Sequence, residues 1–166
     1  MNLETRYIEA AGGPYRLRPA TPADEAFQCA LFCDQRAPFL RRAQLPGPMI
    51  DNLLDLQRRA RNFSYRENFP AAHWLIVERD GEQIGELIVD PREDGAHIVD
   101  ITLHPQRQGR GIGPALVRAV MDASGQRGVS ALADVGNSPS RRMFARLGFV
   151  EEPCDDGANV ELRWRP

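Results

Sequence analysis

Apolar and polar residues recur along this chain with two periods, and the switches between them mark its elements. Tyr15-Arg16-Leu17-Arg18 alternates and predicts a short strand. Thr21-Pro22-Ala23-Asp24 then carries a helix start: a capping threonine, a proline suited to the first helical position, and an acid that closes a capping box. The helix behind it presents Ala26, Phe27, Ala30 and Leu31. Pro46-Gly47-Pro48 breaks the chain before a second helix, in which Ile50, Leu53, Leu54 and Gln57 hold one helical face. Beyond Ala72 the period falls to two. Trp74 to Glu78 is a strand, Asp80-Gly81 a hairpin turn, and Gln83 to Val89 the returning partner. Pro91 to Gly95 reads as a second turn and His97 to Leu103 as a third strand. After a glycine-rich loop, Ile112, Ala115, Leu116, Ala119, Val120 and Ala123 give the clearest helical period in the chain. Val129 to Val135 is a strand. Ser138-Pro139 opens a short helix that Leu147-Gly148 closes, and Val160, Leu162 and Trp164 alternate in a last strand. The predicted order is β-α-α-β-β-β-α-β-α-β. This is an α/β fold (α+β, mixed sheet) with antiparallel hairpins at its centre, expected as one domain over residues 1–166.

Composition narrows the function. The chain is 42% hydrophobic and 27% charged over 166 residues, ordinary for a protein with a real core. Its formal charge is −2, and every basic residue is an arginine. No general basic face is expected, which argues against a nucleic-acid partner but leaves room for a basic patch around one anionic ligand. No apolar run approaches the ~18–20 residues of a membrane span. Met1 to Ala11, with Glu4, Arg6 and Glu9, has no apolar stretch of the secretory kind. Cys29, Cys33 and Cys154 are odd in number and form no disulfide framework, so a cytoplasmic, reducing setting is expected. Cys29 and Cys33 lack a second ligand pair, and no metal is expected there.

The segment that carries chemistry is His104-Pro105-Gln106-Arg107-Gln108-Gly109-Arg110-Gly111-Ile112-Gly113, between a strand and the strongest helix. Glycines let successive N–H groups converge, and a helix N-terminus adds partial positive charge, so the segment suits a phosphate. Arg107 and Arg110 flank it. A plain strand-to-helix turn would use the same glycines. With no lysine the loop is not a Walker motif. The sixth position from Gly109 is Pro114, and the preceding strand follows a hairpin, so the dinucleotide fingerprint fits poorly.

Leu103-x-Pro105 followed by Gln108-x-x-Gly111-x-Gly113 resembles the pyrophosphate-binding motif of the GNAT superfamily of N-acetyltransferases. Asn137 through Leu147-Gly148-Phe149 resembles that family's next strand and helix, and Leu17 to Asp24 its opening strand and helix cap. The resemblance implies an enzyme that moves an acetyl or other acyl group from acetyl-CoA (coenzyme A) to an amine of a small molecule or peptide. It implies that amides of Gln108, Gly109, Arg110, Gly111, Ile112 and Gly113 hold the pyrophosphate. Ile101 and Leu103 would pair with the pantetheine arm, and Asn137 would bond its amides. Phe144 stands where the family usually has the tyrosine that protonates the leaving thiolate. Candidate groups for taking the amine proton are His97, Glu86 and Asp100, with Asp134 a weaker one; Glu86 and Asp100 could equally anchor the substrate or be sheet-face charges paired to arginine. On the predicted strand, His97 shares a face with Val99 and Ile101, and Asp100 shares the other with Thr102. The acceptor would lie under the first two helices, beside Arg36, Arg41, Arg42, Arg58, Arg59, Arg61 and Arg66, which fit either an anionic acceptor or a solvated helix face. A CoA-binding module without turnover, and an unrelated nucleotide binder, are the competing functions. Val160 to Trp164 is a candidate homodimer strand.

Overall fold

The structure, a computed structural model, describes residue 3, residues 5–42 and residues 44–166. Glu4 and Met1 of the N-terminal reading lie outside the described residues. The chain runs β1 (Tyr7–Ala10), β2 (Gly13–Pro19), α1 (Glu25–Arg41), α2 (Gly47–Asn68), β3 (His73–Arg79), β4 (Glu82–Arg92), β5 (Gly95–Leu103), α3 (Ile112–Ser124), β6 (Gly128–Asp134), α4 (Ser138–Arg146), β7 (Val150–Pro153) and β8 (Asn159–Trp164). Among the described residues the strands form one sheet in the order β1-β2-β3-β4-β5-β6-β8-β7. The mixed α/β class stands as expected. The two additional strands, β1 and β7, carry little pattern: β1 buries only Ile8, and β7 is exposed at each position. β4 also runs through Pro91 to Arg92, which shortens the second turn to Glu93-Asp94.

Local chemistry accounts for the joints. Thr21 and Asp24 form the expected capping box, with the Thr21 N–H 2.7 Å and its hydroxyl 2.9 Å from Asp24 Oδ2. Asp24 also takes two hydrogen bonds from the Arg18 guanidinium, which holds its carboxyl far below the usual carboxylate range. Asp80 and Gly81 both adopt positive φ, 51° and 80°, as a two-residue hairpin requires.

The sheet has two unequal covers. On one face α3 and α4 bury Leu75, Val77, Leu87, Val89, Leu116, Val120 and Leu162 in the main core. Truncating the fully buried Leu116 to alanine would cost about 3 kcal/mol. On the other face lie α1 and α2, whose own contact is a small cluster of Phe32, Ala37, Ile50 and Leu54.

Two irregularities shape the sheet's centre. Ile88 pairs with Asp100 and Val89 with Ile98, which leaves Val99 as an extra residue in β5. Strict alternation sets His97 and Asp100 on opposite faces. The bulge overturns that, because His97 lies opposite Asp90 and Asp100 opposite Ile88, so both fall on the α1–α2 face. The second irregularity is a splay. β5 and β6 pair in parallel only from Gly95↔Gly128 to Ile98↔Ala131 and then part. At the closed end the strands nearly touch: a Cβ on Gly95 would sit 1.8 Å from the Gly128 carbonyl oxygen. β8 lies between β6 and β7, with both edges used. The expected pairing of two copies through Val160 to Trp164 therefore has no free strand edge to use.

Candidate active site

The splay opens a cleft of about 730 Å³ between β5, β6, the N-terminus of α3, and α4. Its lining includes Asp100, Ile101, Leu103, Gln108, Gly109, Gly111, Ile112, Gly113, Asn137 and Phe144. Gly109 and Gly111 have φ of 72° and 74°, left-handed values that glycine adopts without strain. The Gln108 N–H donates to Pro105 O at 3.3 Å. Among the described residues no main-chain oxygen takes the amides of Gly109, Arg110 or Gly111. Those of Ile112 and Gly113 open α3, where a helix has no partner to offer. These free amides, with the helix end behind them, fit a diphosphate. The flanking arginines behave differently from expectation. Arg107 is held by Glu82, and the Arg110 side chain lies off the cleft lining. Arg118, Arg142 and Arg146 line the cleft instead and are exposed.

Beyond Ile98 the β5 edge facing β6 is unpaired. The Leu103 carbonyl accepts from Gln35 Nε2 at 2.7 Å and Gln108 Nε2 at 3.0 Å, so it points away from β4. By the two-residue repeat, the N–H and C=O of Ile101 point the same way, into the cleft. An extended ligand arm can pair there as an added strand.

Across the cleft, Asn137 caps α4: its Oδ1 accepts from the Ser140 N–H at 3.2 Å. Its Nδ2 has no partner among the described residues and can still donate to a ligand carbonyl. Phe144 is 4% exposed and meets Phe149 edge-on at 4.9 Å. There the cleft wall thus carries a ring and no hydroxyl.

The α1–α2 face is built from charge. Arg61 of α2 places Nη2 between Glu86 Oε1, at 2.9 Å, and Asp100 Oδ2, while Gln28 of α1 donates to Glu86 Oε2. The guanidinium lies against Tyr65 and Phe32, 5.0 and 5.8 Å from the ring centroids. Burial acts to lower its pKa, but the negative charges of Asp100 and Glu86 together outweigh that and push it up. Burial, with the negative charge of Asp100 beside it, pushes the Tyr65 hydroxyl up too. Glu86 is 2% exposed and sits behind Asp100, whose Oδ1 has no partner among the described residues. Asp100 is the one acidic residue among the described residues that lines the cleft, and its carboxylate lies on the α1–α2 face beside Arg61.

His97 shares this face but not the cleft. Its ring stacks on Phe69 at 5.4 Å and its Nδ1 lies 2.9 Å from Ser130 Oγ. Burial, then the nearby Arg92 charge, lowers its pKa to about 4. Asp134 accepts from the Gly136 N–H and is placed as a turn residue.

Sequence reasoning missed Gln28 and Gln35, which reach Glu86 and Leu103 from one face of α1. Their seven-residue spacing was the available signal. The arginine row is mostly spent on partners. Arg58 and Arg59 meet Asp55, Arg61 the two carboxylates, Arg66 lies over Trp74 and Arg42 over Phe39. Cys29, Cys33 and Cys154 are free, and no metal-binding cluster occurs among the described residues. None of the described helices is long and apolar enough to cross a membrane.

Three comparisons bear on this arrangement. The family model described as "Acetyltransferase (GNAT) family" matches residues 40–149. A Bacillus subtilis protein named for N-acetylation of an alanine of ribosomal protein bS18 is 27% identical over 104 residues, spanning 57% of this chain and 69% of that one. Two solved structures share the fold. One is the PaiA N-acetyltransferase of Thermoplasma acidophilum in complex with coenzyme A, with TM-score 0.65, 14% identity, and 92% of this chain and 99% of that one covered. The other is Mycobacterium smegmatis RimJ in complex with CoA-disulfide, with TM-score 0.64, 21% identity, and coverage of 96% and 86%.

Proposed function

The chain belongs to the GNAT family of acetyltransferases, an acyl-CoA-dependent N-acyltransferase whose donor is acetyl-CoA, and from that premise we propose that it acetylates a primary amine of a small molecule or peptide with Asp100 receiving the amine proton. The observation that carries this reading is Asp100 itself, the one acidic residue of the cleft lining among the described residues, set in the unpaired stretch of β5 with its carboxylate toward α2.

Bound acetyl-CoA supplies an acyl thioester, a carbonyl open to attack with a thiolate as leaving group. The amides from Gly109 to Gly113 hold its diphosphate. Ile101 and Leu103 align its arm, and the Ile101 N–H faces the cleft as a donor to a developing oxyanion. Arg118, Arg142 and Arg146 add positive charge at the rim. An ammonium has no lone pair and must lose a proton before attack. Glu86 and Asp100 share the single cation Arg61, so the cluster keeps net negative charge to attract an ammonium. Asp100 Oδ1 is free to take its proton, directly or through water. His97, neutral and walled off beneath Phe69, serves structure in this reading. The α1–α2 face accommodates the acceptor. A peptide N-terminus is the first acceptor to try, because the Bacillus subtilis relative is named for one. Three free cysteines suit a reducing, cytoplasmic setting.

The test is thiol release from acetyl-CoA across a panel of amines and alanine-starting peptides. Turnover with at least one acceptor is the expected result. No turnover with any of them, although CoA raises the melting temperature, would favour a binding module, the second reading that Phe144 supports. Phe144→Tyr then separates the two: turnover that appears in the variant marks an enzyme lacking its proton donor, and silence in both forms marks a module.

A further inference from the structure

The mouth of the cleft carries a charge that its main-chain groups do not explain. Arg118 follows Gly111 and Pro114 along one side of α3, seven positions, or about 10 Å, beyond Gly111. Arg142 and Arg146 lie one turn apart on α4, on the side that Pro139 and Met143 also turn to the cleft. All three arginines are exposed. None has an ion-pair partner among the described residues, whereas Arg141, next to Arg142, is held by Glu151 at 2.7 Å. The acidic residue of the lining, Asp100, turns its carboxylate to Arg61 on the far face. Two helices thus bring three uncompensated cations to one opening.

We infer that Arg118, Arg142 and Arg146 form a phosphomonoester subsite that reads the 3′-phosphate of coenzyme A, so that the chain selects CoA over its 3′-dephospho form. The inference rests on acetyl-CoA as donor and is independent of the acceptor and of Asp100. The chemistry divides the phosphates of CoA between two kinds of hydrogen-bond donor. Each phosphorus of the diphosphate carries a single charge, which convergent amides and a helix end of about half a charge can match. The 3′-phosphate is a monoester with about −1.5 to −2 charge at neutral pH and three terminal oxygens. Full cations suit it better, and a guanidinium meets two of its oxygens at once. Connectivity agrees. In CoA the ribose follows the diphosphate on the side away from the pantetheine arm. With the arm on β5 and the diphosphate on the loop, the ribose is the part left for the rest of the lining, where the three arginines stand.

The test is calorimetric titration of the full chain with CoA and with 3′-dephospho-CoA, crossed with Arg118→Gln, Arg142→Gln and Arg146→Gln. The chain is expected to bind CoA about 10–100-fold more tightly than the dephospho form, the range of a charge-assisted contact. Each substitution is expected to cut that ratio and to leave the affinity for 3′-dephospho-CoA unchanged, so that the loss appears only when residue and phosphate are both present. The side chains are exposed, so the variants keep their melting temperature, and added salt narrows the ratio in the parent chain. Two outcomes would overturn the inference alone. One is equal affinity of the parent chain for both ligands. The other is a set of variants that weakens both ligands alike, which would assign the arginines to the diphosphate. Binding of neither ligand would remove the acetyl-CoA premise and the inference together, and is thereby told apart from a failure of the subsite.

Discussion

The two sides of β5 present different kinds of chemical group. Toward β6, the cleft offers main-chain amides, a helix end and an unpaired strand edge, with arginines only at the rim. Toward α1 and α2, the strand offers side chains: two carboxylates, one guanidinium, two glutamines and aromatic rings drawn from four elements. Short of proline, which deletes an N–H, substitution only misplaces main-chain groups, whereas each charged side chain can be removed or titrated. The cofactor side should thus yield most to changes of backbone shape, and the acceptor side to changes of single functional groups.

The largest expected effect is on the backbone side. Gly111→Val forces a branched residue into φ 74°, although the space beside Gly111 is open, so the damage comes from conformation. The local strain is about 1–2 kcal/mol, and the amides turn out of register with the diphosphate. Loss of CoA binding by calorimetry is expected, with the protein still folded. Unchanged affinity would break the contrast.

Asp100→Asn removes one functional group from the other side. About 10²–10³-fold in kcat/KM should be lost with CoA stabilisation intact. Equal loss of CoA binding would show that the two sides are not separable.

Acid tests the same divide. His97 is buried neutral with a pKa of about 4, against an ordinary 6.5. The unfolded chain gains a proton there as pH falls through about 6.5, and the folded chain does not until about pH 4. Stability is therefore complete above the ordinary value and declines across that window, by up to about 3 kcal/mol from this group. His97→Gln should flatten that part of the melting profile. An identical acid slope in the variant would assign the loss to other groups.

The smallest effect is a side chain on the cofactor side. Asn137→Ala should weaken CoA about fivefold, one neutral hydrogen bond, and cost about 1 kcal/mol of stability through the lost helix cap. A drop as large as that of Gly111→Val would mean that side chains, and not amides, dominate that wall.

The same contrast explains what could be read in advance. The glycine loop and α3 are local: ten consecutive residues hold the turn, the amides and the helix start. The acceptor face is not local. Arg61 meets Glu86 and Asp100 across separations of 25 and 39 residues, and no spacing rule links them. Placing Asp100 beside Glu86 needs the β4–β5 register, and placing it on the face of His97 needs the bulge at Val99, one residue that inverts every later position. β7 left no pattern because none of its residues is buried. Arg107 looked like a phosphate ligand by proximity, but Glu82, on the neighbouring hairpin, holds it elsewhere.

The arginine rim of the cleft has a chemical consequence. An ammonium placed at Arg118, Arg142 or Arg146 would shed a proton near pH 10 and become a nucleophile within reach of an activated acyl group. A guanidinium keeps its proton throughout and stays inert toward thioesters. A catalyst whose cations are all of this kind has no side-chain amine to consume its own donor, so the positive charge of the rim is not eroded by turnover.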